Sequence, residues 1–324
     1  MLMIVACHFS GHGGFHFAVD SITLNRLYQQ FIFMGGSLGN VTFVMISGYF
    51  LVNSEHVNLR RLFNLCVRVF FYSVIIYSLF LLSGMMAFDI KTMLKVFMPI
   101  ARTQWWFASA YFVMYLIHPY INIMLHSFTR EDYKKFLTAI FLYWCIIQVL
   151  TNSNFQSRNL IKFIFLYSLA GYIRLWADYY GNKKFIWYGI GFIALNFMTV
   201  IALDLIGLMI PFFRGKAGFF CGMMKPFTIL ACLCLLIGFK HLDIQNSRII
   251  NTIASASFGV YLIHDNNFVR PFLWIDLFKN ASFQNSPYLI PYSIAVIVFV
   301  YASCTLIELM RSRIFRVLSQ GRLS

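Results

Sequence analysis

The stretch FIWYGIGFIALNFMTVIALDLI, residues 185–206, decides the fold class. Coiled as an α-helix it reaches roughly 33 Å at 1.5 Å per residue, enough to cross a hydrocarbon layer of about 30 Å. Eight segments of similar character lie on either side of it, near 31–52, 63–83, 105–126, 136–151, 160–176, 224–240, 250–268 and 288–310. Residues 1–9, MLMIVACHF, add a tenth that is too short. Met1 to His8 covers only roughly 10 Å, so the first helix is expected to begin upstream of Met1 or to lack its first turns. No basic segment and no small-residue cleavage site mark a signal peptide.

Composition agrees. The chain has 324 residues, is 60% hydrophobic and only 11% charged, where soluble domains carry about 25% charged residues. The 37 phenylalanines suit lipid-facing and interfacial surfaces. The expected fold is all-α: one integral membrane domain, residues 1–324, built as a polytopic transmembrane helical bundle of about ten spans with the first truncated. The net charge of +15 sits between apolar spans, which reads as membrane orientation and not as nucleic-acid binding. With the spans alternating, a modest majority of basic residues falls on the inner side. Arg311, Arg313 and Arg316 follow the last span and place the C-terminus there. Ten spans put both termini in the cytoplasm of a cell with a multi-pass plasma-membrane protein. The seven cysteines show no CxxC or Cys/His spacing and read as packing residues.

Two outer connections exceed turns. In 84–104, apolar Met93, Leu94, Phe97 and Met98 oppose Lys91 and Lys95, the pattern of a short interfacial amphipathic helix. Residues 9–30 carry His12, His16, Asp20 and Arg26 and read as a cover over an external mouth.

Several positions have the chemistry of a site. His8 is an imidazole in an apolar helix, either a proton acceptor or a buried histidine satisfied by hydrogen bonds. His12 and His16 continue its i, i+4 spacing, which on one helix would suit a metal. Gly11, Gly13 and Gly14 are expected to interrupt that helix, so no metal site is expected. Gly35 to Gly48 reads as close helix approach, or with Asn40 and Ser47 as the wall of a polar cavity. Arg60 reads as an anchor; Arg68, seven residues after Arg61 and on its face, lies deeper and needs an anionic partner, which a phosphate-bearing ligand would supply. Trp105 and Trp106 read as an interface belt, followed by Tyr111 and Tyr115 at i, i+4 and by Pro119, a kink candidate. His264 and Asp265 end a later span; neighbours in sequence point apart on a helix, so Asp265 need not orient His264.

Taken together, MLMIVACHF, FVMISGYFLV, LRRLFNLCVRVFFYS, WWFASAYFVMYLIHPYIN and SFGVYLIHDN resemble the acyltransferase-3 family of integral-membrane O-acyltransferases. They stand in family order across nearly the whole chain. The nearest resemblance is to members that O-acetylate bacterial exopolysaccharide or surface glycans. The resemblance implies about ten helices, an essential first-helix histidine at His8, and a basic segment facing acyl-CoA at Arg61 and Arg68. The family's arginine eleven positions before the histidine would fall before Met1, so this chain either starts late or lacks it.

The expected function is transfer of an acetyl group from acetyl-CoA, a co-substrate and not a bound cofactor. The acceptor is a hydroxyl of a surface or exported polysaccharide or of its lipid-linked precursor. His8 is the expected base, Arg61 and Arg68 the CoA phosphate ligands, and Ser47, Tyr111, Tyr115 and His264 the cavity that orients the acceptor or the oxyanion. The partners are acetyl-CoA, a glycan or lipid-linked sugar, and the bilayer. A transporter or flippase for a glycan or small anion is the alternative, although no inverted repeat or pair of broken helices is visible. An inactive acyltransferase-like sensor is a third reading.

Overall fold

The computed structural model describes residues 1–151, 158–177, 181–243 and 245–320, and these are helical with no strand among them. In chain order the helices are α1 (Leu2–His12), α2 (Leu24–Leu51), α3 (Leu59–Leu82), α4 (Ile90–Phe97), α5 (Trp106–Ser127), α6 (Arg130–Phe141), α7 (Gln148–Thr151), α8 (Asn159–Trp176), α9 (Phe185–Met209), α10 (Pro226–Lys240), α11 (Arg248–His264), α12 (Val269–Pro271) and α13 (Leu289–Gln320). A π-helical turn, Leu142–Ile147, fuses α6 to α7, and another, Phe272–Leu277, follows α12.

Among the described residues six helical stretches are long and apolar enough to cross a bilayer: α2, α3, α5, Arg130–Thr151, α9 and Leu289–Leu318 of α13. Each of the other expected spans is helical but shorter. Helices α8, α11 and α10 have 18, 17 and 15 residues, or roughly 23–27 Å, and α1 has 11. The lipid-facing character is plain on the long helices. Phe50, Leu82, Leu150 and Met209 are all at least 75% exposed, a cost in water that vanishes against acyl chains.

The chain divides into two compact units. One comprises Ala18–Cys66 and Trp106–Asp243. In it α2 packs on α8 and α10, α10 on α9, and α8 on α5 and α6. Gly48 makes the α2–α8 contact possible: a Cβ there would lie 2.7 Å from the Tyr167 carbonyl oxygen, so the helices meet backbone to backbone, as the small-residue run predicts. Helix α2 begins at Leu24, earlier than expected, and takes Arg26 out of the outer connection. Arg26 is buried and pairs through Nη2 with Asp204 of α9, while its Nη1 donates to the carbonyls of Ala18 and Ser21 at 2.7 and 2.6 Å. Gln30 completes the cluster, its Nε2 donating to Asp204 Oδ2 at 2.8 Å.

The other unit comprises Met1–Phe17, Val67–Trp105 and Ile244–Ser324. Helix α13 packs on α11 and α1, and α1 also meets the π turn, where Phe9 is edge-on to Trp274 at 5.9 Å. The expected amphipathic segment is α4. Val96 is buried while Ile90, Leu94 and Phe97 are exposed on its other side, and Asp89 caps it by accepting from Thr92 N–H at 2.8 Å. Trp105 departs from the expected interface belt. It is 1% exposed and belongs to the core.

Candidate active site

The first cluster lies in the unit that contains α1. Gly11 does not break α1, which runs to His12; a helix glycine costs about 1 kcal/mol, less than the burial of Phe9 and Val5, both 0% exposed, returns. The expectation that the glycines destroy the histidine spacing is therefore corrected for His8 and His12. Their rings lie 5.1 Å apart on one helix face, while His16 lies beyond the helix, its backbone N–H donating to Gln284 Oε1 at 2.7 Å.

His264 ends α11 and is 0% exposed. Its Nδ1 lies 2.5 Å from the Val260 carbonyl oxygen, and its Nε2 lies 2.9 Å from Nδ1 of His8. These two contacts fix the protons. A carbonyl oxygen only accepts, so Nδ1 of His264 donates and its Nε2 holds a lone pair. That lone pair accepts from His8 Nδ1–H. The lone pair of His8 then sits on Nε2, free to take a proton from a hydroxyl. His264 is a satisfied core histidine; His8 keeps 18% side-chain exposure.

Asp265 does not orient His264, as the sequence suggests. It approaches His8 instead, with Oδ1 3.5 Å from His8 Nδ1 and 3.0 Å from Arg270 Nη2. A carboxylate there would stabilise an imidazolium formed on His8, and Arg270 moderates that attraction.

The second constellation lies in the other unit. Ser47, Tyr111, Tyr115 and Arg61, four of the residues singled out in the sequence, line one cleft of about 310 Å³. Ile46, Phe50, Leu51, Leu62 and Leu65 supply its apolar wall. Ser47 Oγ donates to the Phe43 carbonyl at 2.9 Å. The Tyr111 and Tyr115 rings stack at 6.3 Å. Arg61 stands in the first turn of α3, where Asn58 Oδ1 accepts its N–H at 3.0 Å. Arginines at a helix N-terminus oppose the helix dipole.

Arg68 falls in the unit that contains α1. Its Nε lies 3.5 Å from Glu308 Oε1, and its guanidinium stands over the Phe258 ring at 5.9 Å. Glu308, 2% exposed, also accepts from Tyr72 at 2.6 Å and from Arg311 at 2.8 Å through each oxygen. Glu308 is thus one anionic group within reach of Arg68. Glu308 escaped the sequence reading because it stands at the charged end of a span; its i, i+3 relation to Arg311 is the signal that points to it. Asp204 escaped likewise, although a carboxylate inside an apolar span is a flag by itself.

A family model described as an acyltransferase domain, that of the acyltransferase-3 family, matches residues 1–309. Neither a curated protein nor a solved structure matches the chain.

Proposed function

Because the chain belongs to the acyltransferase-3 family, we propose that this membrane acyltransferase moves an acetyl group from acetyl-CoA to a sugar hydroxyl of a surface or exported polysaccharide or its lipid-linked precursor. The observation that carries the reading is the run of contacts from the Val260 carbonyl through His264 to His8. It leaves the outer nitrogen of His8 as the proton acceptor.

A hydroxyl is a weak nucleophile at neutral pH. In this mechanism Nε2 of His8 takes its proton as the oxygen attacks the thioester carbonyl. The resulting imidazolium is held by His264 and faced by Asp265. Collapse of the tetrahedral intermediate breaks the C–S bond, and the departing CoA sulfur receives the proton from His8. Arg61 binds a CoA phosphate, and the cleft with Ser47, Tyr111 and Tyr115 takes an uncharged part of a substrate. Arg68 is left to Glu308.

The test is acetyl content of the glycan, with acetyl-CoA binding by the purified protein as a second readout. In a His8→Ala strain with normal protein levels, acetylation should fall by about 10²–10⁴-fold while acetyl-CoA binding persists. Full acetylation in that strain would remove His8 from the mechanism.

A further inference from the structure

His12 has no part in the acyl transfer, yet it stands beside the residue that does. We infer that His8, His12 and Asp265 form a binding site for a divalent ion of the zinc type, and that its occupation switches acyl transfer off. The inhibitory half rests on the reading of His8 as the base.

One ligating atom from each of the three residues lies within 4.8 Å of the other two. They converge from two distant segments, the outer end of α1 and the end of α11. Asp265 supplies an independent sign. It is 3% exposed, and its Oδ1 accepts no hydrogen bond despite lying 3.0 Å from Arg270 Nη2. A buried carboxylate oxygen thus faces two imidazoles, with Arg270 as its charge partner. His8 and His12 are both partly exposed, which gives an ion a way in.

The donor set selects the ion. Two imidazoles and one carboxylate are the ligands zinc takes in sites that keep a fourth position for water. Imidazole nitrogen also suits copper and nickel, whereas magnesium and calcium prefer oxygen alone. Zinc–ligand bonds of about 2.0–2.2 Å need the three atoms closer together than they stand, a change within reach of side-chain rotation. Arg270 adds a positive charge beside Asp265 and weakens the site. Binding is therefore reversible, as a switch requires.

Either mode of coordination by His8 is inhibitory. A metal on Nε2 occupies the lone pair that accepts the hydroxyl proton. A metal on Nδ1 displaces the hydrogen shared with His264 and breaks the fixed tautomer.

The experiment uses the full chain in detergent or nanodiscs after chelation, with Co²⁺ as the spectroscopic probe and Zn²⁺ as competitor. The expected result is a saturable visible absorption band at one Co²⁺ per chain, removed by Zn²⁺, and loss of acetylation as Zn²⁺ is added. His12→Gln should keep metal-free activity, bind Co²⁺ at least about tenfold more weakly and lose zinc inhibition. Asp265→Asn, read only by the Co²⁺ titration, should weaken the band similarly and guards against misfolding of the first variant. The inference is overturned if no saturable band forms, if His12→Gln binds and is inhibited like the parent, or if chelation abolishes activity and Zn²⁺ restores it. An active His8→Ala protein would instead sink the base reading, while the Co²⁺ titration still judges the ion site.

Discussion

At the residue scale the molecule rests on where single protons are held. His264 serves by presenting a lone pair to His8, so its replacement separates geometry from chemistry. His264→Phe should lower kcat on the order of 10²-fold, because the wrong tautomer of His8 can then form, with the KM for acetyl-CoA unchanged. His264→Gln keeps an oxygen acceptor near His8 Nδ1–H and should recover part of the loss; equal rates for the two variants would contradict the tautomer argument. Arg61 and Arg68 should part company. Arg61→Ala should raise the KM for acetyl-CoA about tenfold or more, the value of a lost charge-assisted hydrogen bond. Arg68→Ala should leave that KM alone and lower the melting temperature, since it strips a counter-ion from Glu308. A matching rise in KM for both would return Arg68 to the substrate. None of this partition is visible in the sequence. His8 and His264 are 256 positions apart, and the carboxylate that claims Arg68 lies in the last helix.

At the element scale, helices meet where a side chain is missing. A Cβ at Gly259 would fall 2.4 Å from the Glu308 carboxyl carbon, so α11 and α13 sit together only because that position is bare. Gly259→Val should destabilise by about 1–3 kcal/mol, read as a drop in thermal unfolding temperature in detergent. Helix α4 has a pH-dependent start. Hydrogen bonds from the Thr92 side chain and backbone hold the Asp89 carboxyl below its usual value of 3.8. A depressed acid contributes stability above its unfolded pKa and loses it as pH falls through the folded value. Amide exchange across 90–97 should therefore rise below about pH 3.8 beyond the intrinsic change, and Asp89→Ala should show that rise already at neutral pH. Element by element, the apolar runs were legible, because twenty apolar residues have few other fates. The amphipathic α4 was legible from its lysines. The start of α2 was not: Arg26 and Gln30 stand in a segment that reads as a connection until Asp204, far along the chain, gives them a partner. The continuity of α1 was hidden in the same way, since the glycine penalty is local and the burial of Phe9 is tertiary.

At the scale of the whole molecule, the family and the all-helical membrane class follow from composition and five ordered motifs, whereas the ion pairs that lock the packing do not. The Arg26–Asp204 pair is the sharpest case. Asp204→Ala leaves a buried guanidinium without its anion and should cost about 3–5 kcal/mol, while Arg26→Met combined with Asp204→Leu should be far milder. Thermal unfolding of the three proteins side by side checks this, and a double variant as weak as the single would refute it. The far end of the histidine pair has a different kind of security. Its last acceptor is the main-chain oxygen of Val260, an atom every amino acid carries. No point mutation at 260 can erase it, so the lineage can vary that side chain freely and can lose the tautomer only by bending the helix itself.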